Sequence, residues 1–211
     1  MCKLCLCFIL LLNSFAGFAQ PPGFSPAKNA DSFKQAFANA AKSTNSIASD
    51  FVQEKNLSLL SDKITSTGKF WFKKENRVRM EYVQPFTYLM ILNNGRIYVK
   101  DGQKENKVSA SSNKLFTQVN RILVDCVGGT ILSNPDFHAN IFESPKAWMI
   151  ELIPAAKNLQ ELYKKIDIFI DRKDYTATSI DMVELSGDNT NIRFLNKQLN
   201  AEIPDALFAI P

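Results

Sequence analysis

Between Phe51 and Gly95 the chain alternates apolar and polar residues through one short segment after another, with little more than a turn between them. Alternation of period two places every second side chain on the same face of a sheet. In Lys69–Lys73, Phe70 and Phe72 share a face opposite Lys69, Trp71 and Lys73. In Arg77–Val83, Val78, Met80 and Tyr82 share one face, while Arg77, Arg79 and Glu81 share the other. Connections this short leave no room for crossover helices, so the strands follow one another as an antiparallel meander. Asn94-Gly95 is a hairpin turn, because both residues tolerate positive φ.

The same pattern extends over most of the chain. Strands are expected at Ile47–Leu60, Ile64–Lys73, Arg77–Val83, Tyr88–Leu92, Arg96–Lys100 and Lys104–Ala110. A later run is expected at Phe137–Phe142, Trp148–Ile153, Tyr163–Ile170, Ala177–Leu185 and Asn191–Leu199. Ahead of the first strand, Phe33, Phe37, Ala40, Ala41 and Thr44 recur at helical spacing, with Asn29 or Asp31 as the cap and an end near Asn45. Between the two runs, Leu115, Phe116, Val119, Ile122, Leu123 and Cys126 form a second helical stripe, stopped by Gly128-Gly129. The order is helix, meander, helix, meander: an α+β chain, mainly β, of about ten to eleven strands. Gln20–Pro26 reads as a loose Pro/Gly leader.

The N-terminus reads as an export signal. Lys3 precedes an apolar stretch from Leu4 to Leu12, and Gly17 and Ala19 suit a cleavage site, so residues 1–19 are removed and residues 20–211 form one domain. The stretch is shorter than the roughly 20 apolar residues a membrane span needs, and Asn13 and Ser14 interrupt it. Cys2, Cys5 and Cys7 leave with the signal; Cys126 remains alone, which excludes an internal disulfide in the mature domain. Cys7 does not follow small residues, so the mature protein is expected to be soluble and unlipidated. The formal charge of +4 is interspersed rather than blocked, which argues against nucleic acid as a partner.

Catalytic chemistry finds little support. His138 is the only histidine, and Cys126 lies on an apolar helix stripe where an inert buried thiol is expected. One histidine and one cysteine make a poor metal site, and Gly128-Gly129 lacks the lysine of a phosphate loop. Glu81, Asp101, Glu151, Asp181, Glu184 and Asp188 are scattered among basic residues, although pairing across strands is invisible at this level. The expectation is no enzyme, no metal and no cofactor. What remains is the apolar sheet face, either core beneath the helices or a surface for a hydrophobic ligand. The strands outnumber the covering helices, and methionine and large aromatics suit a variable ligand, so a hydrophobic cargo is favoured.

The ordered series Phe51-Val52-Gln53-Glu54-Lys55, Thr67-Gly68-Lys69-Phe70-Trp71-Phe72, Arg77-Val78-Arg79-Met80-Glu81-Tyr82, Gln84-Pro85, Asn94-Gly95, Asp188-Asn189-Thr190 and Ile192-Arg193-Phe194 resembles the LolA family, periplasmic carriers of outer-membrane lipoproteins. The resemblance implies an incomplete antiparallel β-barrel closed by a helical lid, with acyl chains held between sheet and lid. It implies a cavity lined by Phe70, Phe72, Val78, Met80 and Tyr82, and a lid helix supplying Leu115, Phe116, Val119, Ile122 and Leu123. The family's lid-latching arginine corresponds to Lys74 here; Arg79 is the other candidate latch, although its parity with Arg77 points it to the opposite face. The implied partners are acylated lipoproteins or other acyl lipids, an inner-membrane ATP-binding-cassette lipoprotein-releasing complex and an outer-membrane acceptor, with a monomeric carrier working in the periplasm. Two alternatives stay open: a periplasmic carrier of another acylated or polyene lipid, and a protein-docking sensor module of the same fold.

Overall fold

Both meanders join into one antiparallel sheet of twelve strands among the described residues of the computed structural model, which are 21–59, 63–102, 104–109 and 122–211. The expected signal peptide, and Leu115, Phe116 and Val119 of the second helix, lie outside them.

The first run consists of β2 (Ser46–Asn56), β3 (Lys63–Lys73), β4 (Arg77–Gln84), β5 (Tyr88–Asn93), β6 (Arg96–Asp101) and β7 (Lys104–Ser109). The second consists of β8 (Phe137–Glu143), β9 (Ala147–Pro154), β10 (Tyr163–Asp171), β11 (Ala177–Glu184) and β12 (Asn189–Leu199). The seam between them is β12 on β2, paired from Asn189 opposite Asn56 to Leu199 opposite Ile47 with one register shift between Leu195 and Gln198. Each edge strand, β1 (Ser25–Pro26) at one side and β7 at the other, has a single neighbour, so the sheet is not closed into a barrel.

Two expectations change. The leader is not loose: Ser25 and Pro26 pair with Glu143 and Phe142 of β8, the Ala27 amide donates to the Ile141 carbonyl at 2.9 Å, and the Phe24 ring lies 5.8 Å from that of Phe169. β2 stops at Asn56 rather than Leu60, because the Ser58 amide and hydroxyl both donate to Asp188 Oδ1, at 2.8 and 2.9 Å, and turn the chain.

Helix α1 (Ala30–Ser43) starts at Asn29, whose Oδ1 accepts the Ser32 amide at 3.0 Å, and ends where the Thr44 hydroxyl donates back to the Ala40 carbonyl. Residues 122–128 form helix α2, and Lys157–Gln160 a single-turn helix α3. Phe33 of α1 faces Trp148 of β9, ring centroids 4.8 Å apart. The main core fills the space between these helices and one face of the sheet. On the opposite, outer face a second cluster forms where Ile203 and Phe208 of the C-terminal segment cover Ile91 and Tyr98.

Gly68 explains one irregularity of β3. A Cβ there would stand 2.1 Å from the Glu81 carbonyl oxygen and 2.6 Å from the Phe51 ring, at the point where the β3–β4 register slips. Only glycine lets the Phe51 ring lie flat across the strand.

Candidate ligand cavity

The helix-covered face is built by alternation on β2 to β6. Cross-strand pairs Phe70 with Met80, Phe72 with Val78, and Met80 with Met90 put these side chains on one face, all buried. The Phe70 ring also meets Phe194 of β12, centroids 5.3 Å apart, which carries the apolar surface across the seam. Leu123, Cys126 and Val127 of α2 lie over this surface, and Ile122 and Leu123 are buried in the core.

Between α2 and the sheet remains a cavity of about 20 Å³, walled by Ile47, Ser49, Phe70, Ala177, Ile180, Phe194 and Lys197. A space of this size holds about one water molecule and no acyl chain.

Tyr82 is placed differently from the other four expected cavity residues. It is only partly buried, at the end of β4, with Phe51 edge-on at 4.9 Å, Phe86 stacked at 5.8 Å and Tyr88 edge-on at 5.7 Å. Its hydroxyl donates to Gln53 Oε1 at 2.8 Å, and burial holds its phenol above the usual tyrosine range. It marks the rim of the apolar face rather than its floor.

Among the described residues no histidine or carboxylate faces the cavity. His138 is exposed on β8. Burial, and secondarily the Asp125 charge, pushes the Cys126 thiol above its usual range, the opposite of an activated nucleophile. Cross-strand pairing does bring Glu151, Asp167 and Asp181 into one row over β9, β10 and β11. That row lies on the outer face, and the Lys165 ammonium bonds to Asp167 at 2.6 Å and approaches Glu151 at 3.5 Å. No group of three metal-ligating side chains forms among the described residues.

A family model described as outer membrane lipoprotein carrier protein LolA matches residues 42–211. The chain belongs to the LolA family. No curated protein matches it. Among solved structures, the MucA/MucB complex of Pseudomonas aeruginosa is similar at 14% identity and a TM-score of 0.52, over 87% of this chain and 61% of that one. A LolA superfamily protein from Nitrosomonas europaea is similar at 10% identity and a TM-score of 0.45, over 84% of this chain and 97% of that one. Identities this low speak to the fold alone.

In this LolA-family chain the two candidate latches separate. The Lys74 ammonium donates to the Lys42 carbonyl at the C-terminal end of α1, at 2.5 Å, and the Lys74 amide donates to the Asn45 carbonyl at 2.9 Å. Arg79 is on the outer face: it pairs with Glu81 at 2.8 Å, donates to the Leu207 carbonyl at 3.2 Å and lies 5.7 Å from the Trp71 ring centroid. Arg79 therefore touches the C-terminal segment and not the helices over the cavity. Sequence reading singled out neither Ser49 nor Lys197. A lone serine in an alternating strand and a lysine late in β12 carry no signal, because their meeting depends on a register break.

Proposed function

We propose that this protein is a carrier that shields the acyl chains of lipoproteins between the open sheet and its covering helices, and releases them to an acceptor at the outer membrane. One observation carries the reading: a continuous apolar face from Met80 through Phe70 to Phe194 lies under helix α2, with no converging catalytic groups beside it among the described residues. The LolA family membership supports the same cargo class.

The cavity under α2 measures about 20 Å³ among the described residues, so on this reading cargo enters by displacing α2 from the sheet. The exchange is close to balanced, because acyl methylenes replace Leu123, Cys126 and Val127 against the same apolar surface. Extraction from a bilayer is another matter. A roughly 16-carbon chain gains about 12 kcal/mol on entering any apolar site, and leaving the bilayer costs about as much. A carrier of this kind is therefore loaded by an energy-using complex in the inner membrane, and on this proposal residues 1–19 are the export signal that brings it to that complex in the periplasm.

The test is a binding titration of the mature protein with a diacylated lipopeptide and with the same peptide lacking its acyl groups. Saturable binding of the acylated form alone is expected. Equal binding of both, or of neither, contradicts the carrier reading.

A further inference from the structure

Besides the Cys126 thiol, two side chains interrupt the apolar wall of the cavity among the described residues, Ser49 and Lys197. They meet because the β12–β2 ladder slips. Leu195 pairs with Asp50 and Gln198 with Ala48, so Asn196 and Lys197 together stand opposite the single residue Ser49. Asn196 has φ of 52°, the left-handed turn that such a bulge needs. In an unbroken ladder Lys197 would share the outer face with the exposed Leu195; the extra residue instead brings it to the cavity side with Phe194.

Ser49 lies between Ile47 and Phe51 on the buried face of β2 and is 8% exposed. Its hydroxyl has no hydrogen-bond partner among the described residues, and an unmade bond on a buried hydroxyl is unfavourable. The Lys197 ammonium approaches Asp174 Oδ2 at 3.3 Å and donates to the Thr176 hydroxyl. Asp174 has two bonds besides that contact, accepting the Thr176 amide at 2.8 Å and the Thr176 hydroxyl at 2.6 Å. If Lys197 turns to another acceptor, Asp174 keeps its two bonds from Thr176.

We propose that Ser49 and Lys197 are the polar anchor of the cavity, receiving the oxygen head of an acyl chain whose tail lies along Phe70 and Ile180. The chemistry is that of a hydroxyl donor beside an ammonium: it suits an ester carbonyl, and a carboxylate better still. The inference rests on the carrier reading, because it names which part of an acyl cargo this wall holds.

Three ligands of equal tail length separate the contributions: dodecanoate, methyl dodecanoate and dodecane, each competing with an apolar naphthylamine dye for the mature protein. The order of affinity expected is dodecanoate, then the ester, then the hydrocarbon. Lys197→Met weakens dodecanoate about tenfold and the ester less, Lys197→Arg restores most of the loss, and Ser49→Ala weakens both oxygen-bearing ligands several-fold. Dodecane binds all four proteins alike, which also shows that the variants keep their cavity. If the wild-type protein binds all three ligands equally, or if neither substitution changes the order, the anchor is refuted and the carrier reading survives. If the wild-type protein binds none of the three, both fall.

Discussion

Gly129, at the end of α2, meets Ala41 of α1 so closely that a Cβ on the glycine would stand 2.5 Å from the alanine Cβ. The glycine also has φ of +72°, which disfavours any other residue. The two helices over the sheet are therefore in contact through a point where only glycine fits.

Gly129→Ala is expected to destabilise the closed arrangement by about 1–3 kcal/mol, through backbone strain and overpacking together. Thermal unfolding reads the loss, and faster uptake of an apolar dye reads the lifted helix. A variant with wild-type melting and wild-type uptake would show that the α1–α2 contact does not hold the cover down.

Lys74→Ala removes the side-chain bond to the Lys42 carbonyl but keeps the backbone bond to Asn45. A cost of about 0.5–1.5 kcal/mol is expected, together with faster loading if this bond restrains α1. Lys74→Arg recovers both. Arg79→Ala acts elsewhere: it loosens the C-terminal segment and leaves loading rates unchanged, since its contacts are on the outer face.

Cys126 reports on the cover. It is 5% exposed, and burial raises its pKa, so alkylation by iodoacetamide at pH 8 is slow in the closed protein. Gly129→Ala accelerates labelling at least about tenfold if the helix lifts. The raised thiol pKa stabilises the folded state below the ordinary value of 9.0, and that contribution fades as pH climbs past it. Cys126→Ser removes this part of the alkaline loss and leaves acyl binding intact.

Asp205 accepts from the Lys73 ammonium and from Arg77 Nη1, the latter at 2.9 Å, pinning the C-terminal segment to β3 and β4. The hydrogen bond from Lys73, followed by the Arg77 charge, holds its carboxyl below the ordinary value of 3.8. A depressed carboxylate contributes above that value and loses its effect as pH falls through the lowered one. Loosening of the segment is therefore expected below about pH 4 and at every pH in Asp205→Asn, which has no carboxylate to titrate there, and is read from the fluorescence of Trp71, which packs against the same outer-face cluster as Leu207 and Ile210.

Strand alternation and turn chemistry made much of this fold legible. All eleven expected strands are present, and the parity argument put Arg79 on the face opposite Val78 and Met80, where it lies. What stayed hidden depends on distant pairing. Nothing local to Asn189–Leu199 says that it zips onto Ser46–Asn56, more than a hundred residues away. Ser25 and Pro26 join the sheet only because β8 offers an edge, and the segment holding Ile203 and Phe208 has no period to betray that it covers Ile91 and Tyr98. Phe70 lines the described cavity, Phe72, Val78 and Met80 are buried in the core around it, and that these four share one apolar face was readable. The Ser49–Lys197 pair was not, because one extra residue at Asn196 reverses the parity on which such reading depends.

The central claim is that the apolar face carries an acyl cargo. Native mass spectrometry of the mature protein, purified without detergent from periplasm and followed by lipid extraction, tests it most directly. The account predicts a mass increment from a lipoprotein or acyl lipid, lost on organic extraction. A protein that emerges at its bare mass and takes up no offered acyl ligand would contradict it.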